Sequence, residues 1–294
     1  LTLGENGIFK TAEMAGKNYT QAEEQELAGL AGFENEINNI IGGTGNNGGS
    51  GTDTPVVKGL LKDIAELGDY VKYDTGTEKG VLTFRVLYND DTNGLQIISD
   101  KNVDNVTLGG DDWTTGKDSY NNAIVTLNEA AYDYAENSLY AIDGRCVGSV
   151  PTVGADGTFT AKNTEEVGPF SDFKFTPSST IEGVNNMKDT DTNYVTDRTA
   201  MKAIGGDMWI TGEYYWLASR LVFSSSSSSC DFLVRIEADS GGLNNYYALC
   251  YVYSSGDSGG YSREYGLRPC ISLRSDIKVT GGDGSEETPY ELGI

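Results

Sequence analysis

At 294 residues the chain is long enough for one large domain or two modest ones, and 38% hydrophobic content supplies a sizeable core. A formal net charge of −23 repels phosphate backbones and leaves no basic face for an anionic membrane, which excludes nucleic acid as a partner. There is no histidine, so Ser-His-Asp catalysis, Cys-His catalysis and histidine-ligated metal sites are excluded as well. Abundant Gly (38) and Tyr (18) suit strands and ordered loops better than a helical bundle. The cysteines, Cys146, Cys230, Cys250 and Cys270, are too widely spaced for a metal knuckle. In an oxidising compartment they could form two bridges with three connectivities, and free buried thiols fit equally well.

Residues 1–41 place Ile8, Ala12, Ala15, Tyr19, Ala22, Leu27, Leu30 and Ile37 at helical intervals, with Asn6 able to cap the start. GGTGNNGGSGTDTP (42–55) then reads as a flexible linker or loop. No stretch reaches the roughly 18 apolar residues of a membrane span, and no signal peptide precedes Leu1. The expectation is that an N-terminal segment has been removed. The run LTLGENGIFKTAEMAGKNYTQAEEQE resembles type IV pilins and prepilin-like proteins of Gram-positive bacteria, in which a hydrophobic helix passes through a GENGIF-like step into an amphipathic one. That resemblance implies a filament-core helix, other pilin subunits as partners through it, and membrane contact only through the missing segment. No role is carried onto Glu5.

A display domain is expected over 56–294. VVKGLLKDIAEL reads as a short helix, followed by GDYVKYDTG, GVLTFRVLYND and GLQIISD as strands of a meander. Residues 118–139 show helical spacing through Ala123, Leu127, Ala130, Ala131 and Tyr134, and 140–205 read as mostly irregular. EYYWLASR, DFLVRIEA, YYALCYVY and YGLRPCISLRSD return to strands. These phrases in order, ending in TGGDGSEETPYEL, resemble bacterial C-type-lectin-like surface domains. The implied fold class is α+β: an N-terminal pilin-like helix, then a C-type-lectin-like domain with small antiparallel sheets and long irregular loops.

Residues 221–263 contain no Lys, Gln, Met, Trp or Pro, although lysine is regular elsewhere. Changing only the adenines of an AAC or AAT asparagine codon reaches Ser, Asp, Gly, Tyr, Val, Leu, Phe, Ile, Ala, Arg and Cys. It cannot reach Lys, Gln, Glu, Met or Trp, and Glu237 is the segment's single departure. This pattern resembles the variable proteins of diversity-generating retroelements, whose C-terminal part is rewritten by adenine-directed mutagenesis. The resemblance implies a fixed scaffold of Trp216, Leu217, Ala218, Arg220, Cys230, Val234, Arg235, Cys250, Val252, Leu267, Arg268 and Cys270. Between these lie candidate ligand-binding positions: Leu221, Phe223, Ser225, Ser227, Ser229, Asp231, Leu233, Ile236, Asn244, Asn245, Tyr246, Tyr247, Tyr251, Tyr253, Asp257, Tyr261 and Arg263. Tyrosines with Ser, Gly and Asn also give the chemistry of an antibody-like paratope. Alternation in YYALCYVY points Tyr251 and Tyr253 one way and Cys250 and Val252 the other. The serine run in FSSSSSSCDF is expected to form an ordered or semi-ordered loop on the binding face, with Cys230 pinning its far end.

DTDTNYVTD (189–197) imitates the start of an EF-hand through Asp189, Asp191 and Asn193. It fails as one, with Tyr194 at the glycine position and Ala200 in place of the glutamate. Asp283, Glu286 and Glu287 read as a solvated turn. No carboxylate pair has a spacing that suggests acid–base chemistry, so no enzyme activity, metal or cofactor is expected. The expected function is that of an extracellular pilin-like subunit, at the cell surface or in a filament, that binds an unknown protein or glycan ligand for adhesion or recognition. The alternatives are a structural pilus subunit without a ligand, or a phage or cell-surface receptor-binding protein.

Overall fold

A computed structural model describes residues 57–150, 167, 188, 192–205, 208, 213–226, 229–237 and 246–294. All belong to the unit Pro55–Ile294; the expected pilin-like helix and Gly-rich linker lie outside the described residues.

The eight-stranded sheet contains β1 (Gly59–Leu60), β2 (Tyr70–Asp74), β3 (Val81–Asp90), β4 (Gly94–Ser99), β6 (Ala141–Cys146), β12 (Pro269–Leu273), β13 (Lys278–Gly281) and β14 (Tyr290–Gly293). Its spatial order is β1-β13-β14-β2-β3-β4-β12-β6, antiparallel except where β14 runs parallel to β2. β3 lies inside the sheet, and residues 84–88 of it are buried without a break. The β3–β4 turn closes because the Asp90 carboxylate accepts the N–H groups of Thr92 (2.8 Å) and Asn93 (2.9 Å), while Gly94 takes a φ of 67°.

The six-stranded sheet contains β5 (Asp104–Leu108), β7 (Tyr215–Ser226), β8 (Ser229–Glu237), β9 (Tyr246–Tyr253), β10 (Ser258–Gly260) and β11 (Arg263–Leu267), in the order β10-β9-β8-β7-β11-β5. Here β11 runs parallel to β7. Helix α1 (Leu61–Ile64) is a single turn, and α2 (Trp113–Tyr132) and α3 (Tyr194–Ile204) are longer. Asp112 caps α2 by accepting the Thr115 N–H at 3.0 Å, and Tyr120, Ala123, Leu127 and Ala131 line its buried face. That face packs on both sheets, against β6 of the larger and β7, β9 and β10 of the smaller. None of these helices is long and apolar enough to cross a membrane.

The fold class expected from the sequence, α+β with small antiparallel sheets and long irregular loops, is overturned. Strands make up 45% of the described residues and helices 19%, in two large mixed sheets. Four strands with no clear apolar alternation enlarge the sheets: DNVTL and AIDGRC, at β5 and β6, and KVTG and YELG, at β13 and β14. The expected helix over VVKGLLKDIAEL shrinks to one turn because its start pairs with β13. The Lys58 and Leu61 N–H groups donate to the Val279 and Ile277 carbonyls, both at 2.8 Å.

The sheets meet over one continuous apolar core, fastened by buried arginines. Arg268, between β11 and β12, donates to the Ser99 carbonyl (2.6 and 3.0 Å) and the Met208 carbonyl (2.7 Å) and lies over the Tyr215 ring. Arg145 forms a fork with Asp197 (2.6 and 3.0 Å), which also accepts from the Tyr88 hydroxyl and the Gly148 N–H. Arg198 pairs with Glu237 in the same way.

Candidate functional site

The candidate site is built on β7, β8 and β9, which lie side by side in antiparallel register. Cross-strand partners share a face, and residues either side of them point to the other. One set of partners faces the core: Trp216↔Ile236, Arg220↔Val234, Val222↔Phe232↔Cys250 and Cys230↔Val252, all buried except Val222, which is half-buried against it. Phe232 meets Trp113 and Tyr120 of α2 edge to face, with centroids 5.9 and 5.5 Å apart. The Trp216 indole N–H donates to the Val106 carbonyl at 2.8 Å. The opposite set is Leu221↔Leu233↔Ala248, Phe223↔Asp231↔Tyr251, Ser229↔Tyr253 and Arg235↔Tyr246.

Two of the three irregularities along these strands set the faces of the aromatic residues. Between Leu217 and Arg220, β7 carries two residues that β8 does not oppose. The Ala218 N–H leaves the ladder and donates to the Val147 carbonyl at 2.9 Å, joining this strand to the chain beyond β6. In β9 the register slips at Leu249, so Cys250 opposes Phe232 while Ala248 opposes Leu233. Leu249 is fully buried, and its carbonyl accepts the Tyr261 N–H at 2.9 Å. Without this bulge Tyr247 would share a face with Tyr251. With it, Tyr247 turns to the other side and stacks on Tyr265, 5.2 Å between centroids.

The aromatic side chains form a chain of contacts. Tyr253 meets Tyr251 at 5.1 Å, and Tyr251 meets Tyr261 at 5.3 Å. The Arg263 guanidinium lies over both Tyr261 (5.0 Å) and Tyr247 (5.2 Å). Tyr265 continues the series to Trp216 (4.9 Å) and Tyr214 (5.8 Å). Gly259, opposite Tyr251 in the ladder, leaves room for that ring, since a Cβ there would stand 2.6 Å from the Tyr251 hydroxyl. Burial, with Asp257 adding repulsion, raises the pKa of the Tyr251 phenol, and burial beside Tyr247 pushes Tyr265 up to about 12. At neutral pH these rings are neutral hydrogen-bonding surfaces.

Of the candidate positions, Phe223, Tyr253, Asp257 and Tyr261 are exposed, and Leu221, Ser229, Asp231, Tyr246, Tyr247, Tyr251 and Arg263 are half-buried. Leu233 (5% exposed) and Ile236 (2%) are buried, so neither offers a solvent-facing position. Phe223 and Tyr246 form a separate pair, 6.4 Å between centroids. Ser225 lies in β7, and Ser227, Asn244 and Asn245 lie outside the described residues. In its described part the serine run is strand: β7 continues through Ser226, which pairs with Ser229 at the start of β8, and residues 227–228 lie outside the described residues. The ladder there is made by backbone groups, and its register slips between Phe223 and Ser226, where β7 carries one more residue than β8. Sequence reading missed Tyr265 and Tyr214; the spacing of Arg263 and Tyr265, two apart on one strand, was the available signal for the former.

Every residue expected to form the scaffold is buried except Arg235, which is half-buried with its guanidinium over the Tyr194 ring. The four cysteines are free and buried. Burial pushes Cys230 and Cys270 up to about 12 and raises Cys146 and Cys250 as well, so all four are held as thiols. Among the described residues no cluster of three or more Cys, Asp or Glu side chains could hold a metal ion. Asp189 and Asp191 lie outside the described residues, and Asp197 is committed to Arg145. Asp283 closes a turn, accepting from the Ser285 N–H at 3.0 Å and from the Thr288 hydroxyl, which lowers its pKa to about 2. Compared with protein-family models, curated proteins and solved structures, the chain gives no match.

Proposed function

We propose that this chain is an extracellular pilin-like subunit whose Pro55–Ile294 unit presents a ligand-binding face for adhesion or recognition, with 221–263 as its variable segment. The observation that carries the reading is the division of labour along β7, β8 and β9. Phe223, Tyr251 and Tyr253 are at least partly open to solvent, while their sequence neighbours Val222, Cys250 and Val252 face the core. A surface rich in tyrosine offers large, stiff, amphipathic contact area at low entropic cost. The codon pattern of 221–263 and the pilin resemblance of the N-terminal residues supply the filament and diversification parts of the proposal.

The test is the Tyr251→Ala/Tyr253→Ala double variant, examined for adhesion of expressing cells to their target surface and for filament assembly. Adhesion should fall about tenfold or more, with assembly and thermal midpoint unchanged. Unchanged adhesion, or loss of assembly instead, would defeat the proposal. A neighbouring reverse transcriptase gene and a near-copy of the 221–263 coding segment, differing only at adenines, are the matching genetic expectation.

A further inference from the structure

Arg263 differs from most arginines of the fold; Arg235 shares its buried Nε without an acceptor but lies over the single Tyr194 ring, whereas Arg263 meets two. Arg145 and Arg198 are paired with buried carboxylates, Arg274 with Asp276, and Arg268 with backbone carbonyls. Arg263 makes no ion pair among the described residues, although the chain contains 44 Asp and Glu residues. Its Nε is buried without a hydrogen-bond acceptor, and its guanidinium is held between the Tyr247 and Tyr261 rings. A buried donor without an acceptor is costly, and an incoming carboxylate would satisfy it. Stacking on two rings also removes most of the freedom that a guanidinium loses on binding.

We infer that Arg263 is the anchor for an Asp or Glu side chain of a protein ligand, with Tyr251, Tyr253 and Tyr261 forming the apolar rim around it. This rests on the binding-face reading above and names the chemistry of its ligand. A densely charged polyanion is disfavoured by the net charge of −23, whereas one carboxylate set in an apolar segment meets one fork among aromatic rings. Arginine and tyrosine so placed are the residue types in which binding energy concentrates.

The experiment pans a phage-displayed library of random dodecapeptides, fused so that none has a free C-terminus, against the full chain. Selected peptides are then synthesised with C-terminal amides and measured against wild type, Arg263→Gln, Arg263→Lys and Tyr251→Ala. The expected result is a required Asp or Glu in the selected peptides. Its change to Asn or Gln and Arg263→Gln should each weaken binding about 30-fold, with no further loss when combined. Arg263→Lys, which keeps the charge and loses the fork, should recover only part of the affinity. An unchanged thermal midpoint for Arg263→Gln assigns the loss to the contact. Peptides that bind Arg263→Gln within about twofold of wild type but lose affinity to Tyr251→Ala overturn the carboxylate assignment and leave the binding face standing. Peptides indifferent to all three variants, or no selected peptide at all, count against both.

Discussion

At the scale of single residues, the outer face tolerates a charge that its position resists. Asp231 sits mid-strand between Phe223 and Tyr251, and burial raises its carboxyl pKa above the ordinary 3.8. A raised acid pKa means that the folded state holds its proton more tightly than the unfolded state. Stability is therefore greatest at low pH and falls as pH rises from the unfolded value through the folded one. Asp231→Asn should accordingly melt higher than wild type at pH 7, and the difference should vanish below about pH 3, where both states are protonated. Paired thermal melts across that range check the sign; an Asn variant that is less stable at neutral pH contradicts it.

At the scale of elements, the position of the tyrosines depends on how closely α2 approaches the β9 bulge. Gly116, on the buried face of the helix, would place a Cβ 2.4 Å from the Leu249 carbonyl oxygen and 3.0 Å from the Cys250 Cβ. Alanine is worth about 1 kcal/mol over glycine inside a helix, but forcing a methyl group against backbone costs about 1–3 kcal/mol. Gly116→Ala should therefore lose stability in chemical denaturation despite its better helix propensity, and a gain would show that the contact relaxes freely. Strand pairs such as β2–β3 and β7–β8 were legible because their apolar residues alternate or run unbroken between turn residues. The bulge was not: YYALCYVY reads as one uninterrupted alternation, and only pairing with β8 shows where an extra residue enters. The same limit hid β5 and β6, where Asp, Asn, Gly and Arg occupy strand positions because tertiary partners satisfy them. Arg145 in AIDGRC carries no strand signal, yet Asp197, more than fifty residues on, fixes it there.

At the scale of the whole Pro55–Ile294 unit, two sheets share one core, and the chain crosses between them at Arg268. Its hydrogen bonds reach the last residue of β4 and Met208 beyond α3, so it joins segments far apart in sequence. Arg268→Met keeps much of the side-chain volume but leaves the Ser99 and Met208 carbonyls without this donor. A charged hydrogen bond contributes about 1.5–3 kcal/mol, so a loss of at least about 3 kcal/mol is expected. Wild type should unfold in a single calorimetric transition, and the variant should unfold earlier. A variant with wild-type stability would remove Arg268 from the junction. The alternation along β7 and β9 has a consequence of its own. Leu221, Phe223, Tyr251 and Tyr253 stand on one side of a wall whose other side is the core, with the main chain between them. That side can therefore be repainted without disturbing the masonry, and under the proposed binding role a lineage would change its ligand while inheriting the same folded body.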